Sequence, residues 1–157
     1  MFNFKYLDKE QKNEYLPTLY DLLCSNMNDV APTDFEKNEF IKEVGGALEK
    51  APRQIILCYY NEEIAGFLMY YTRENMIMIE ELQLTKKYQR TRALHSLCHF
   101  MIEILPESIE FIESFVDKRN LNSLSLQQML GLTIVNEVNE NLLHLRGDAK
   151  IFKSKIR

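Results

Sequence analysis

A chain of 157 residues and 18.6 kDa has the length of one domain and enough material to bury a substantial core. Its 46% hydrophobic and 27% charged residues exclude intrinsic disorder, which needs fewer apolar side chains and a larger charge imbalance. The net charge of −4 and pI near 5.5 speak against bulk nucleic-acid binding, and no apolar run approaches the roughly twenty residues that span a bilayer.

The start, Met1-Phe2-Asn3-Phe4-Lys5, lacks the extended apolar stretch of a signal peptide. Cys24, Cys58 and Cys98 are far apart, form no CxxC pair and are odd in number, so free thiols in a reducing cytoplasm are expected. In chain order, Phe2 to Leu7 reads as a short strand. Asp8 with Gln11 three positions on makes a capping box for a helix. Its apolar stripe is Leu16, Leu19, Tyr20, Leu23 and Met27, interrupted by Pro17. A second helix is predicted after Pro32, with Phe40, Ile41, Val44 and Leu48 inward and Gly45-Gly46 weakening its middle.

After Pro52 the pattern becomes β-branched and aromatic. Residues 54–60 and 64–71 predict a hairpin through Asn61-Glu62-Glu63, and Met76 to Leu84 a third strand beside it. A helix from Thr91 to Leu105 carries Leu94, Leu97, Cys98, Met101, Ile102 and Leu105 on one stripe, and Pro106 ends it. Ile109 to Val116 is the next strand, parallel to Met76–Leu84 across a right-handed crossover. A helix over 121–130 stops at Gly131, and 133–138 with 142–146 close the chain as a hairpin. Lys150, Lys153, Lys155 and Arg157 read as a solvated basic tail, with help to a ligand's phosphate as the alternative. With no repeat or Gly/Ser linker, the order βαα-βββ-α-β-α-ββ predicts a single α+β domain with a mixed sheet flanked by about four helices.

The charge is unevenly distributed. Residues 83–102 hold Lys86, Lys87, Arg90 and Arg92 and no acid. Without these four, 15 of the 19 basic residues remain against 23 acidic ones, so the rest carries −8. A basic turn on an acidic background suits an anion, and phosphate is the usual one; a merely solvated helix entrance is the alternative. His95 and His99 sit at i, i+4 beside Cys98, but no HExxH or further ligand spacing accompanies them, so no metal site is expected. Tyr59, Tyr60, Tyr70 and Tyr71 suit sheet packing.

The element order, together with Glu81-Leu82-Gln83-Leu84-Thr85-Lys86-Lys87-Tyr88-Gln89-Arg90-Thr91-Arg92-Ala93-Leu94, resembles the GNAT family of acetyl-CoA-dependent N-acetyltransferases. In that family a strand like L-x-V-x-P-x-Y enters a helix through Q/R-x-x-G-x-G/A, and backbone N–H groups of the turn hold the coenzyme pyrophosphate. Unpaired N–H groups and the helix dipole make such a terminus an anion site in general. Leu82 and Leu84 match the strand, Tyr88 the aromatic and Gln89 the opening residue; Arg92 and Leu94 stand where the two glycines usually are. Asn120, Ser123, Leu126, Leu130 and Gly131 resemble the family's N-x-x-S/A-x-x-L-Y-x-x-L-G-F segment. Gln127 takes the place of its tyrosine, the usual proton donor to the leaving thiolate, and an amide has no useful acidity for that role.

The resemblance implies acetyl-CoA as cosubstrate, held by Leu82, Leu84, Gln89, Arg90, Thr91, Arg92, Ala93, Leu94 and Asn120, and an amine acceptor of small-molecule or peptide kind. It allows a homodimer and calls for no nucleic-acid or membrane partner. Glu80 and Glu81 point to opposite faces of their strand. Glu81 is the first candidate for taking the amine proton and Glu113, on the following parallel strand, the second; strand-end carboxylates without a catalytic role are the alternative. The missing glycines and Gln127 leave a second reading open, a module of the same fold that senses a ligand or binds a protein without catalysis.

Overall fold

The computed structural model describes residues 1–30 and 53–156, with backbone alone for 27–30. The strands are β1 (Phe2–Tyr6), β2 (Gln54–Tyr60), β3 (Glu63–Arg73), β4 (Met76–Leu84), β5 (Phe111–Asp117), β6 (Thr133–Glu137) and β7 (Leu142–Asp148). The α-helices are α1 (Lys9–Val30), α2 (Ala93–Ile104), α3 (Leu121–Met129) and α4 (Ala149–Ile156), with a 3-10 turn at Lys86–Tyr88. The strands form one mixed sheet in the order β1-β2-β3-β4-β5-β7-β6. The described residues divide into two compact units, Met1–Tyr71 with Glu81–Leu97, and Thr72–Glu80 with Cys98–Arg157. None of the described helices is long and apolar enough to cross a membrane.

In the first unit, the capping box forms as expected. Gln11 N–H donates to Asp8 Oδ1 at 2.9 Å and Asp8 N–H to Gln11 Oε1 at 3.1 Å, satisfying two donors at the start of α1. The helix continues through Pro17. Its buried Leu16, Leu19, Tyr20 and Leu23 pack with Leu7 and with Ile55, Leu57, Phe67 and Met69 of β2 and β3. Ile56, Cys58 and Leu68, on the other faces of those strands, are equally buried. Burial on both faces explains why β2 and β3 read as continuous apolar runs. Their connection is a two-residue turn with Asn61 and Glu62 both at positive φ (52° and 36°), the geometry whose twist suits a tight hairpin. The helix expected after Pro32, and the side chain of Met27, lie outside the described residues.

In the second unit, β4 and β5 pair in parallel from Met76–Phe111 to Ile79–Ser114, as the crossover pattern predicts. Antiparallel β7 follows on β5, and β6 on β7. Gly131 stands after α3 at φ +93°, as a C′ glycine should. A Cβ there would also meet Ile151 Cγ2 at 2.8 Å.

The basic tail is corrected to a helix over Ala149–Ile156, with Arg157 outside the described residues. In α4, Asp148 Oδ1 accepts from Lys150 N–H and Ile151 N–H at 2.8 and 3.1 Å, while Ala149, Phe152 and Ile156 are buried and the helix packs on β5 and β7. Eight residues offer only three inward positions, too few for the periodicity to outweigh three lysines in the same stretch.

Candidate functional site

Beyond its pairing with β5, β4 runs on to Leu84, and this end is shaped by β3. The β2–β3 register slips between Cys58 and Tyr59, from Cys58–Gly66 to Tyr59–Ile64, leaving Ala65 as the extra residue of a bulge. The Ala65 carbonyl accepts from Thr85 N–H at 2.8 Å. Beside it, a Cβ at Gly66 would lie 2.3 Å from the Gln83 carbonyl oxygen and 2.6 Å from Leu84 Cδ2. Only glycine lets the two backbones come this close.

The turn into α2 is built locally. Tyr88 N–H donates to Thr85 O at 2.8 Å and Thr91 N–H to Tyr88 O at 3.2 Å. The Thr91 hydroxyl donates to Tyr88 O at 2.7 Å and accepts from Ala93 N–H at 3.2 Å, so it caps the helix. The first helical bond is Ser96 N–H to Arg92 O at 2.9 Å. Among the described residues, the N–H groups of Arg90, Arg92 and Leu94 have no protein acceptor. Arg90 and Arg92 are exposed, Ala93 is fully buried and Leu94 is half-buried. Free donors, two guanidinium groups and the positive end of a twelve-residue helix therefore coincide at one turn, an arrangement suited to an anion.

A network of side-chain amides holds this turn to the strand. Asn26 Nδ2 donates to Leu84 O at 2.8 Å and to Gln83 Oε1 at 2.9 Å. Gln89 Nε2 reaches both Asn26 Oδ1 and Leu84 O at 3.2 Å. Gln83 Nε2 donates to Glu81 Oε2 at 3.2 Å. Of the residues expected at the site, Glu81, Leu82, Leu84 and 89–94 are thus gathered in the first unit. Glu81 and Leu82 are half-buried and Leu84 is buried.

At the foot of the turn, Glu63 Oε2 accepts from Tyr88 Oη and from Lys87 Nζ, both at 2.8 Å, and the rings of Phe2, Tyr60 and Tyr88 cluster with centroids 5.2–6.1 Å apart. Lys87 and then Tyr88 hold the Glu63 carboxyl below the usual glutamate range. Burial, followed by the bond to Glu63, raises the Tyr88 phenol. A lowered carboxylate contributes stability above its unfolded-state value that is lost as pH falls through its folded value. Glu63→Gln should therefore be less stable than the unaltered protein at pH 7. Melting curves of the two should converge as pH drops below the glutamate range, and a gap that persists in acid would assign the effect to packing.

The second unit holds the other candidates. His144 Nε2 lies 2.9 Å from Glu113 Oε1, with both side chains largely shielded (23% and 13% exposed), and the ring packs against Phe115. Asn120 caps α3, accepting from Ser123 N–H at 3.2 Å. Gln127, where the resembling family places its tyrosine, is bonded through Oε1 to the buried Ser114 hydroxyl and through Nε2 to Ser123 Oγ at 3.1 Å. Its amide ties α3 to β5.

Asn26, Gly66, Gln83 and His144 escaped the sequence reading. Asn26 follows Leu23 by three positions on the inward stripe of α1, and Gly66 interrupts an apolar strand. Both are legible signals, a polar residue on a buried face and a glycine within a strand. His144 carries none, because its reach to Glu113 depends on the β5–β7 register, which sets it opposite Phe115.

No family model matches the chain, and no curated protein matches its sequence. Solved structures do match its fold. The PaiA N-acetyltransferase of Thermoplasma acidophilum, in complex with coenzyme A, superposes with a TM-score of 0.74 at 12% identity, over 94% of this chain and 99% of that one. A GNAT-family acetyltransferase of Staphylococcus aureus Mu50 gives 0.75 at 12%, over 94% and 99%. The ribosomal-protein-S18-alanine N-acetyltransferase of Escherichia coli gives 0.66 at 14%, over 94% of both chains. The chain has the GNAT fold.

Proposed function

We propose that this protein transfers the acetyl group of acetyl-CoA to a primary amine of a small molecule or peptide. The observation that carries this reading is the passage from β4 into α2, where three N–H groups with no acceptor among the described residues meet Arg90 and Arg92 in a fold shared with acetyltransferases, one of them in complex with coenzyme A. The coenzyme phosphates sit at 89–94 and the pantetheine arm runs along Leu82 and Leu84. The acidic remainder of the chain favours a cationic acceptor, and the three free thiols suit a cytoplasmic setting.

Acyl transfer requires a neutral amine, a held thioester and stabilisation of the oxyanion. Glu81 takes the amine proton, directly or through water, with Glu113 as the second candidate. The nitrogen attacks the thioester carbonyl, its bond to carbon forms, and the C–S bond breaks to release the thiolate. Gln127 cannot protonate that thiolate, and with its amide bonded to Ser114 and Ser123 the proton comes from water. The same bonds favour a second reading, a module that binds the coenzyme without turning it over.

The test is a thermal melt with acetyl-CoA. At a hundredfold excess over the dissociation constant, binding adds about 2.7 kcal/mol, a rise of roughly 5–10 °C for a domain of this size. Absence of any shift at millimolar coenzyme overturns the reading. A shift without acetylated product from a panel of small amines and lysine-bearing peptides, read by mass spectrometry, selects the non-catalytic module.

A further inference from the structure

We infer that Asn26 is a positioning residue for coenzyme binding, its side-chain amide locking the Leu84 carbonyl and the Gln89 side chain into one arrangement. The inference rests on the reading of 89–94 as the coenzyme turn. Asn26 continues the stripe of the buried Leu16, Leu19, Tyr20 and Leu23, where a polar group is costly unless satisfied. Here its amide is used on both sides. The Nδ2 group donates twice, to Leu84 O at 2.8 Å and Gln83 Oε1 at 2.9 Å, while Oδ1 accepts from Gln89 Nε2 at 3.2 Å.

Leu84 O, taking a second bond from Gln89 Nε2 at 3.2 Å, has both acceptor positions filled. The other half of the same peptide, Thr85 N–H, is bonded to Ala65 O at 2.8 Å. The 84–85 peptide is therefore held at its C=O by α1 and the turn, and at its N–H by the bulge of β3. Its plane cannot rotate without breaking three bonds, so the passage from strand to turn is set before any ligand arrives, which removes an ordering cost from binding. Through Gln83 the same amide orients the group bonded to Glu81, joining the proposed proton acceptor to the coenzyme turn in one network.

An uncharged amide is needed, because a carboxylate of the same shape accepts but cannot donate. Asn26→Asp keeps the volume, loses both donations and sets a negative charge against the two oxygens. Titration calorimetry with coenzyme A on the unaltered protein, Asn26→Asp, Asn26→Leu, Gln89→Met and the Asn26→Leu/Gln89→Met pair tests the role, the last three closing a double-mutant cycle. Asn26→Asp should weaken binding by about tenfold or more, the scale of losing two neutral hydrogen bonds. Gln89 is exposed, so Gln89→Met keeps the test open if an Asn26 variant folds poorly, and it should weaken binding too. The double variant, compared with both singles, should lose less than the sum, because the two residues share one carbonyl. A purely structural role would lower the melting temperature of the free protein and leave the dissociation constant alone. Binding of Asn26→Asp within about twofold of the unaltered protein, or strictly additive losses, overturns the clamp while leaving the coenzyme site intact. Failure of the unaltered protein to bind overturns both.

Discussion

Arg92→Glu is expected to remove most of the stabilisation by acetyl-CoA while leaving the free protein folded. Arg92 is exposed at the entrance to α2, so its guanidinium is available to an anion. Reversing its charge replaces an attraction for the coenzyme phosphates by a repulsion. Two unit charges about 4 Å apart near a protein surface interact by roughly 4 kcal/mol before screening. Even discounted severalfold for solvent and salt, a two-charge swing against a pyrophosphate amounts to about 2–3 kcal/mol, or a 30- to 150-fold rise in the dissociation constant. The same substitution suits the isolated helix, because a carboxylate near an N-terminus is favourable by about 0.3–1 kcal/mol. At the coenzyme concentration that stabilises the unaltered protein by about 2.7 kcal/mol, the gain should fall to about 0.3–0.9 kcal/mol, while the melting temperature without coenzyme holds or rises. An undiminished shift would show that Arg92 does not take the place of the absent glycine.

Gly66→Ala is expected to cost both stability and coenzyme binding. The added Cβ would lie 2.3 Å from a backbone oxygen, Gln83 O, and 2.6 Å from Leu84 Cδ2. A flexible side chain could yield, but a strand carbonyl moves only with its strand. Overpacking of this kind costs about 1–3 kcal/mol, and urea denaturation should show a loss of that size. Displacing Gln83 and Leu84 also pulls them from Asn26 and Gln89. Coenzyme affinity should therefore fall further than the stability loss alone would suggest. A variant with unaltered affinity would mean that the end of β4 does not set the turn.

Much of the molecule was legible in short-range pattern. The capping box at Asp8 and Gln11, the β2–β3 hairpin, the stripe of α2 and the Gly131 stop each rest on a few neighbouring residues whose physics is local. The concentration of positive charge at the mouth of α2 was legible too, from Lys86, Lys87, Arg90 and Arg92. The C-terminal helix was not, because its inward face has only Ala149, Phe152 and Ile156 and its cap, Asp148, is the last residue of a strand that runs straight into it. The pairing of Glu113 with His144 was also out of reach, since residues 31 positions apart meet only through the register of two strands.

Residue order alone therefore settled most of the described helices and strands, the C-terminal helix excepted, together with the parallel sense of β4 and β5 and the place where positive charge gathers. What it left to the folded chain was the fate of individual polar groups. Whether Leu84 O is open or occupied, whether Gln127 is a donor to a ligand or a tie to Ser114, and why position 66 admits no side chain each depend on atoms far apart in sequence. Periodicity reports which face of an element is buried, because burial follows from a repeating angle. Hydrogen bonds and close backbone contacts obey distances of about 3 Å, and only packed elements define those.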